Sequence, residues 1–129
     1  MVVPFEATIA GTPSGVRVLR REISAMAEDC GVDAAGVADV QLAVTEAATN
    51  AVMHAYATTT GDVTVTATVH AGELAIVIGD TGGGLVERSD SPGLGVGLSI
   101  IATVADELRI VSSAGGTKIH MTFPCTEGD

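Results

Sequence analysis

The sequence predicts an α+β two-layer sandwich, a mixed and mostly antiparallel sheet covered on one face by three helices. Three observations carry this. Residues 62–78 and 108–123 each read as two strands joined by a glycine-containing turn, so most strand pairs are hairpins. Two successive segments in the first half of the chain repeat apolar residues at helical spacing. A third helical segment opens on glycines and lies between the two hairpins. The resulting order is β-α-α-β-β-α-β-β, with no linker and no internal repeat.

Residues 2–9 alternate as a first strand, with Pro4 near its start, where a missing N–H is tolerated. Gly11-Thr12-Pro13-Ser14 reads as a turn in which Ser14 caps the next helix. Val16, Leu19, Ile23 and Met26 then recur at helical spacing, with Arg17, Arg20, Arg21 and Glu22 off that stripe. Gly31 fits the helix stop, and Asp33 caps a second helix over residues 34–56. The β-branched alternation of residues 62–69 is a strand, Ala71-Gly72 a turn, and residues 74–78 a short apolar strand. Residues 80–92 are rich in Gly, Ser and Asp and read as loop. Residues 93–105 become an apolar helix through Leu98, Ile100, Ile101 and Val104. Residues 108–111, a turn over residues 113–116, and residues 118–123 close the chain as a hairpin.

The chain has 129 residues, a size that suits a single domain over residues 1–129 with a core of its own. With no Trp, that core is built from Ala, Val, Ile and Leu. The 6 Lys and Arg against 16 Asp and Glu give a formal charge of −10, which argues against a nucleic-acid partner. The balance suits a small ligand or a basic protein surface. Cys30 and Cys125 show no CxxC spacing and read as two reduced thiols rather than a zinc site or a disulfide framework. The N-terminus lacks the basic and apolar regions of a signal peptide, and no apolar run approaches a membrane span, so a cytoplasmic location is expected.

The stretch Thr45-Glu46-Ala47-Ala48-Thr49-Asn50-Ala51-Val52-Met53-His54 carries the first chemical signal. Glu46, Asn50 and His54 recur every four residues in an apolar helix, which puts them on one face with a drift of about 40° per step. Burying a carboxylate without a partner is costly. That face therefore meets water, or it meets a ligand that needs a carboxylate and an amide.

Two glycine-rich stretches follow. Asp80-Thr81-Gly82-Gly83-Gly84 comes directly after an apolar strand, and Gly93-Leu94-Gly95-Val96-Gly97-Leu98 leads into a helix. Alternating glycines let a phosphate approach the backbone, and a helix start offers free N–H groups; turn geometry alone also explains such glycines. The pattern fits neither a P-loop nor a dinucleotide fingerprint. Asp80 could accept a hydrogen bond from an exocyclic amine such as that of adenine, or bond its own backbone in a turn.

Glu46 with Asn50, then D-x-G-x-G at Asp80, Gly82 and Gly84, then G-x-G-x-G at Gly93, Gly95 and Gly97, in this order resemble the GHKL ATPase superfamily. That superfamily includes gyrase, histidine kinases and MutL-like proteins. Gly116-Thr117 resembles its final Gly-Thr element, so the likeness spans nearly the whole chain. The words LAVTEAATNAVMHAY, DTGGGL and GLGVGLSII are similar to the small anti-sigma-factor serine kinases of the RsbW type. The resemblance implies a histidine-kinase-like ATPase fold and the cofactors ATP and Mg²⁺. It implies Glu46 as general base, Asn50 as magnesium ligand, and Asp80 with Thr117 at the adenine. The glycines and Leu98 would line the nucleotide site. His54 would bond phosphate or brace the lid, unless it is a packing or surface residue.

The implied activity is phosphorylation of an anti-sigma-factor antagonist on Ser or Thr, coupled to sequestration of a sigma factor by a homodimer. Arg17 resembles a partner-contacting arginine; alternatively Arg17, Arg20 and Arg21 form a solvated face. Two departures from the family pattern stand out. Residues 85–92, with Arg88, are short for an ATP lid, and residues 29–37 between the first helices are extended. The short lid motivates an alternative, a nucleotide-gated binding module with little kinase activity. A third reading, the ATP-binding half of a histidine kinase, is opposed by the lack of an upstream phosphoacceptor helix.

Overall fold

A computed structural model of the protein describes residues 5–55, 61–80, 94–113 and 115–126. The elements are β1 (Phe5–Ala10), α1 (Pro13–Asp29), α2 (Ala34–Asn50), β2 (Asp62–His70), β3 (Glu73–Asp80), α3 (Leu94–Val104), β4 (Glu107–Ser113) and β5 (Gly116–Pro124). The strands form one sheet in the order β1-β2-β3-β5-β4, and every registered pair is antiparallel. The sheet's inward rows and the apolar faces of the helices share one core, which includes Leu19, Ile23, Val40, Val44, Val65, Ile76, Ile101 and Phe123. The expected α+β sandwich and its element order are what the structure shows.

Two local features differ from the sequence expectation, the cap of α1 and the end of α2. Thr12, not Ser14, caps α1. Its backbone is extended, its Oγ1 accepts from the Gly15 N–H at 3.1 Å, and Pro13 occupies the first helical position, where no N–H is needed. The connection between α1 and α2 is residues 30–33, as the expected helix stop at Gly31 and cap at Asp33 imply. Gly31 turns the chain with φ +83°, buried Val32 anchors it, and Asp33 Oδ1 accepts from the Gly36 N–H at 2.8 Å to start α2. Finally, α2 ends as an α-helix at Asn50, and Ala51–Ala55 wind as a π turn.

β1 and α1 approach so closely that Gly15 has no room for a side chain: a Cβ there would lie 2.1 Å from the Ala10 carbonyl oxygen. Gly15→Ala is expected to destabilise the fold by about 1–3 kcal/mol through forced backbone displacement, seen as a lower urea midpoint.

The sheet's other face carries Thr64, Thr66 and Thr68 on β2, Ala75 and Val77 on β3, and Lys118, His120 and Arg109 on β5 and β4. His120 is held below the usual histidine pKa, first by burial and then by the positive charges of Arg109 and Lys118. The unfolded chain therefore takes up this proton at a higher pH than the folded chain. The stability linked to His120 is complete above the usual histidine pKa and is lost as pH falls through the lower, folded value. His120→Gln is expected to flatten the fall in Tm on acidification from about pH 7 to pH 5.

Candidate functional site

α2 supplies the first half of the site. Val40, Ala43, Val44, Ala47 and Ala48 bury one side of this helix in the core. Glu46 is half-buried at the border of that side, and Asn50 lies one turn on, only 8% exposed. The Asn50 Nδ2 is buried with no hydrogen-bond partner among the described residues. Leaving such an amide unsatisfied costs about 1–3 kcal/mol, a cost that a bound polar ligand removes. The amide oxygen is a hard donor that suits Mg²⁺, so the chemistry of Asn50 fits the expected ion.

The even spacing Glu46, Asn50, His54 ends at the π turn. The π turn packs against β3, the strand that carries Asp80.

The sheet supplies the second half. On β3 the inward row runs Leu74, Ile76, Ile78 and then Asp80. On β5 it runs Phe123, Met121, Ile119 and then Thr117; on β4, Leu108, Ile110 and then Ser112. Gly79 pairs with Lys118, so the next antiparallel step sets Asp80 opposite Thr117, and Thr117 pairs with Ser112. Three adjacent strands thus end their apolar inward rows on polar side chains at the same end of the sheet. Thr117 is 4% exposed, and its Oγ1 lies 3.3 Å from the Ser112 Oγ. This end of the sheet presents a carboxylate beside a hydroxyl, a combination suited to an edge bearing one donor and one acceptor.

The structure therefore brings Asp80 and Thr117 together and sets Glu46 and Asn50 on one turn of α2. α3 starts at Leu94 and packs on α2, so Gly95 and Gly97 lie in its first turns, where backbone N–H groups lack helical acceptors. Leu98 packs half-buried against the core. Arg17 is exposed on α1 alongside Arg20 and Arg21. Gly82, Gly84, Arg88, Gly93 and the short segment 85–92 lie outside the described residues. Ser112 was not singled out from the sequence; its signal is a polar residue in the inward phase of an otherwise apolar strand.

The chain is similar to known proteins in sequence and in fold. A family model described as a histidine kinase-like ATPase domain matches residues 9–123. The serine-protein kinase RsbW of Bacillus licheniformis is 32% identical over 126 residues, covering 85% of this chain and 78% of that protein. The anti-sigma F factor of Caldanaerobacter subterraneus is 34% identical over 98 residues, covering 67% of this chain and 68% of that protein. A crystal structure of the RsbU and RsbW domains of a Mycobacterium tuberculosis protein superposes with a TM-score of 0.78 at 27% identity. That match covers 98% of this chain, which spans 33% of the solved one.

Proposed function

Because this chain belongs to the histidine kinase-like ATPase domain family, among relatives of the RsbW serine-protein kinases and anti-sigma F factors, we propose that it is an ATP-dependent protein-serine kinase of a partner switch. It binds ATP with Mg²⁺, phosphorylates an anti-sigma-factor antagonist on Ser or Thr, and sequesters a sigma factor. The observation that carries this reading is the pairing of half-buried Glu46 with buried Asn50, whose amide nitrogen has no partner among the described residues, one turn apart on α2.

The residues divide the work by their chemistry. Glu46 orients the acceptor hydroxyl and takes its proton as the phosphoryl group moves. Asn50 would hold Mg²⁺, which, when bound, offsets phosphate charge. The Asp80 carboxylate accepts from the exocyclic amine of adenine, with Thr117 beside it. The backbone at the start of α3, with Gly93, Gly95 and Gly97, receives phosphate, and Gly82, Gly84 and Leu98 complete the nucleotide pocket. His54 and Arg17 serve phosphate or lid contact and partner contact respectively. The protein works as a homodimer in the cytoplasm.

The test is incubation with labelled ATP, Mg²⁺ and a cognate antagonist. Label should pass to a Ser or Thr of the antagonist. If nucleotide binds in calorimetry but no phosphoprotein forms, the protein is instead the nucleotide-gated binding module that the short segment 85–92 suggests.

A further inference from the structure

Cys30 and Cys125 belong to no shared motif and lie far apart in the chain, yet the fold brings their neighbourhoods together. Cys30 is the cap residue that ends α1 and is 1% exposed. Cys125 follows β5, where the inward row Ile119, Met121 and Phe123 continues to position 125, and it packs against the core. The residues that follow each cysteine touch. The Thr126 hydroxyl donates to the Gly31 carbonyl at 3.3 Å, across 95 positions of chain. That hydroxyl also fills the place where a side chain on Gly31 would stand.

Both segments are held by their backbones. The Cys30 N–H donates to the Met26 and Ala27 carbonyls at 3.0 and 3.2 Å, and the Cys125 N–H donates to the Gly72 carbonyl at 2.9 Å. Both cysteines are in the thiol form. They stand where the helical layer meets the sheet, at the end of β5 opposite Thr117 and therefore away from the nucleotide site. Such an arrangement raises the concentration of one thiol around the other far above its value in the unfolded chain.

We propose that Cys30 and Cys125 are an oxidation site, joined by a small uncharged hydroperoxide in a disulfide that fastens the end of α1 to the end of β5. The class of oxidant follows from the surroundings. Glu28, Asp29 and Asp33 are exposed on the α1 side, and Glu73 is exposed beside Pro124. Their charge repels anionic disulfides such as that of glutathione and leaves an uncharged peroxide unhindered. Cys125 is the more open of the two and meets the oxidant first. Its sulfur attacks one oxygen of hydrogen peroxide and the O–O bond breaks. The other oxygen leaves with the thiol proton as water, and Cys125 becomes a sulfenic acid. The Cys30 sulfur then attacks the Cys125 sulfur, the S–O bond breaks, and the hydroxyl leaves with the Cys30 proton as a second water. Two thiols lose two electrons in all, and the peroxide gains them. The reaction asks only that the sulfurs meet, whatever else each thiol bonds.

The test treats the reduced full chain with a slight excess of hydrogen peroxide and follows thiol content, intact mass and Tm. Both thiols should disappear together, and the monomer mass should fall by two hydrogen atoms. A peptide map without reductant should join residues 30 and 125. Tm should rise by about 10 °C, because the bond closes a long loop of the unfolded chain, and dithiothreitol should reverse every change. Cys125→Ser should leave Cys30 titratable after the same treatment. Cys30→Ala should instead hold Cys125 as a sulfenic acid that dimedone labels. Thiols that persist, a sulfinic acid at Cys125 beside an unreacted Cys30, or a bond between two chains would overturn the proposal. So would a bond that forms only after urea unfolds the chain, or one that lowers Tm. Oxidised glutathione at the same concentration should join the pair more slowly, and a faster reaction would overturn the assigned oxidant.

Discussion

Glu46→Ala is expected to cut phosphoryl transfer from ATP to the antagonist by about a hundredfold or more, while the affinity for ATP changes little. The expectation follows from position. Glu46 is half-buried at the border of the buried side of α2, one turn before Asn50, and under the proposed function its carboxylate takes the proton of the acceptor hydroxyl. A general base acts in the transition state, so its loss appears in the rate rather than in nucleotide binding. Alanine favours helix and removes no core packing from this half-exposed position, so the fold should tolerate the change. The measurement is a single-turnover assay with labelled ATP, paired with calorimetry. Transfer that survives the substitution at near the original rate would remove Glu46 from the chemistry; a parallel loss of ATP affinity would make it a binding residue instead.

Asp80→Asn should weaken adenine nucleotides by about ten- to a hundredfold, the scale of one hydrogen bond to a charged group, with little loss of stability. Asp80 ends β3 and is partly open to solvent, where the inward apolar row of that strand stops. Asn keeps the size of the side chain but offers an amide, which can turn its donor toward the amine that the carboxylate received. Titration with ATP, together with thermal unfolding of the nucleotide-free protein, separates the two roles this residue can have. A large fall in Tm with unchanged affinity would show that Asp80 holds the end of β3 and does not read the base.

Much of the fold was legible because local patterns state it directly. The alternation in residues 62–69 matches β2, whose inward residues Val63, Val65 and Ala67 are buried while the threonines between them face outward. The stripe Val16, Leu19, Ile23 lies on the buried side of α1. Gly31 ends that helix in the left-handed region, as its place in the sequence suggested. Ala71 and Gly72 both take positive φ, the backbone that a two-residue hairpin turn demands.

The misses have physical causes. Thr12 and Ser14 are both competent caps, and only the fixed geometry of Pro13 and the close approach of α1 to β1 at Gly15 decide between them. The π turn at Ala51–Ala55 follows residues with ordinary helical composition, so nothing local announces that α2 ends as an α-helix at Asn50. Ser112 reads as one more polar residue near a turn until its partner on the neighbouring strand is known.

By itself the sequence determined the kinds and order of the elements, the buried side of each, and the family to which the chain belongs. Those properties follow from backbone preference, side-chain period and motif spacing, all of which act within a few residues. The tertiary structure alone decided that β5 lies between β3 and β4, so that Asp80, Thr117 and Ser112, spread over a separation of 37 positions in the chain, meet in one row. Strand order is a matter of which surfaces can be buried together, and that is settled by the whole core rather than by any one segment.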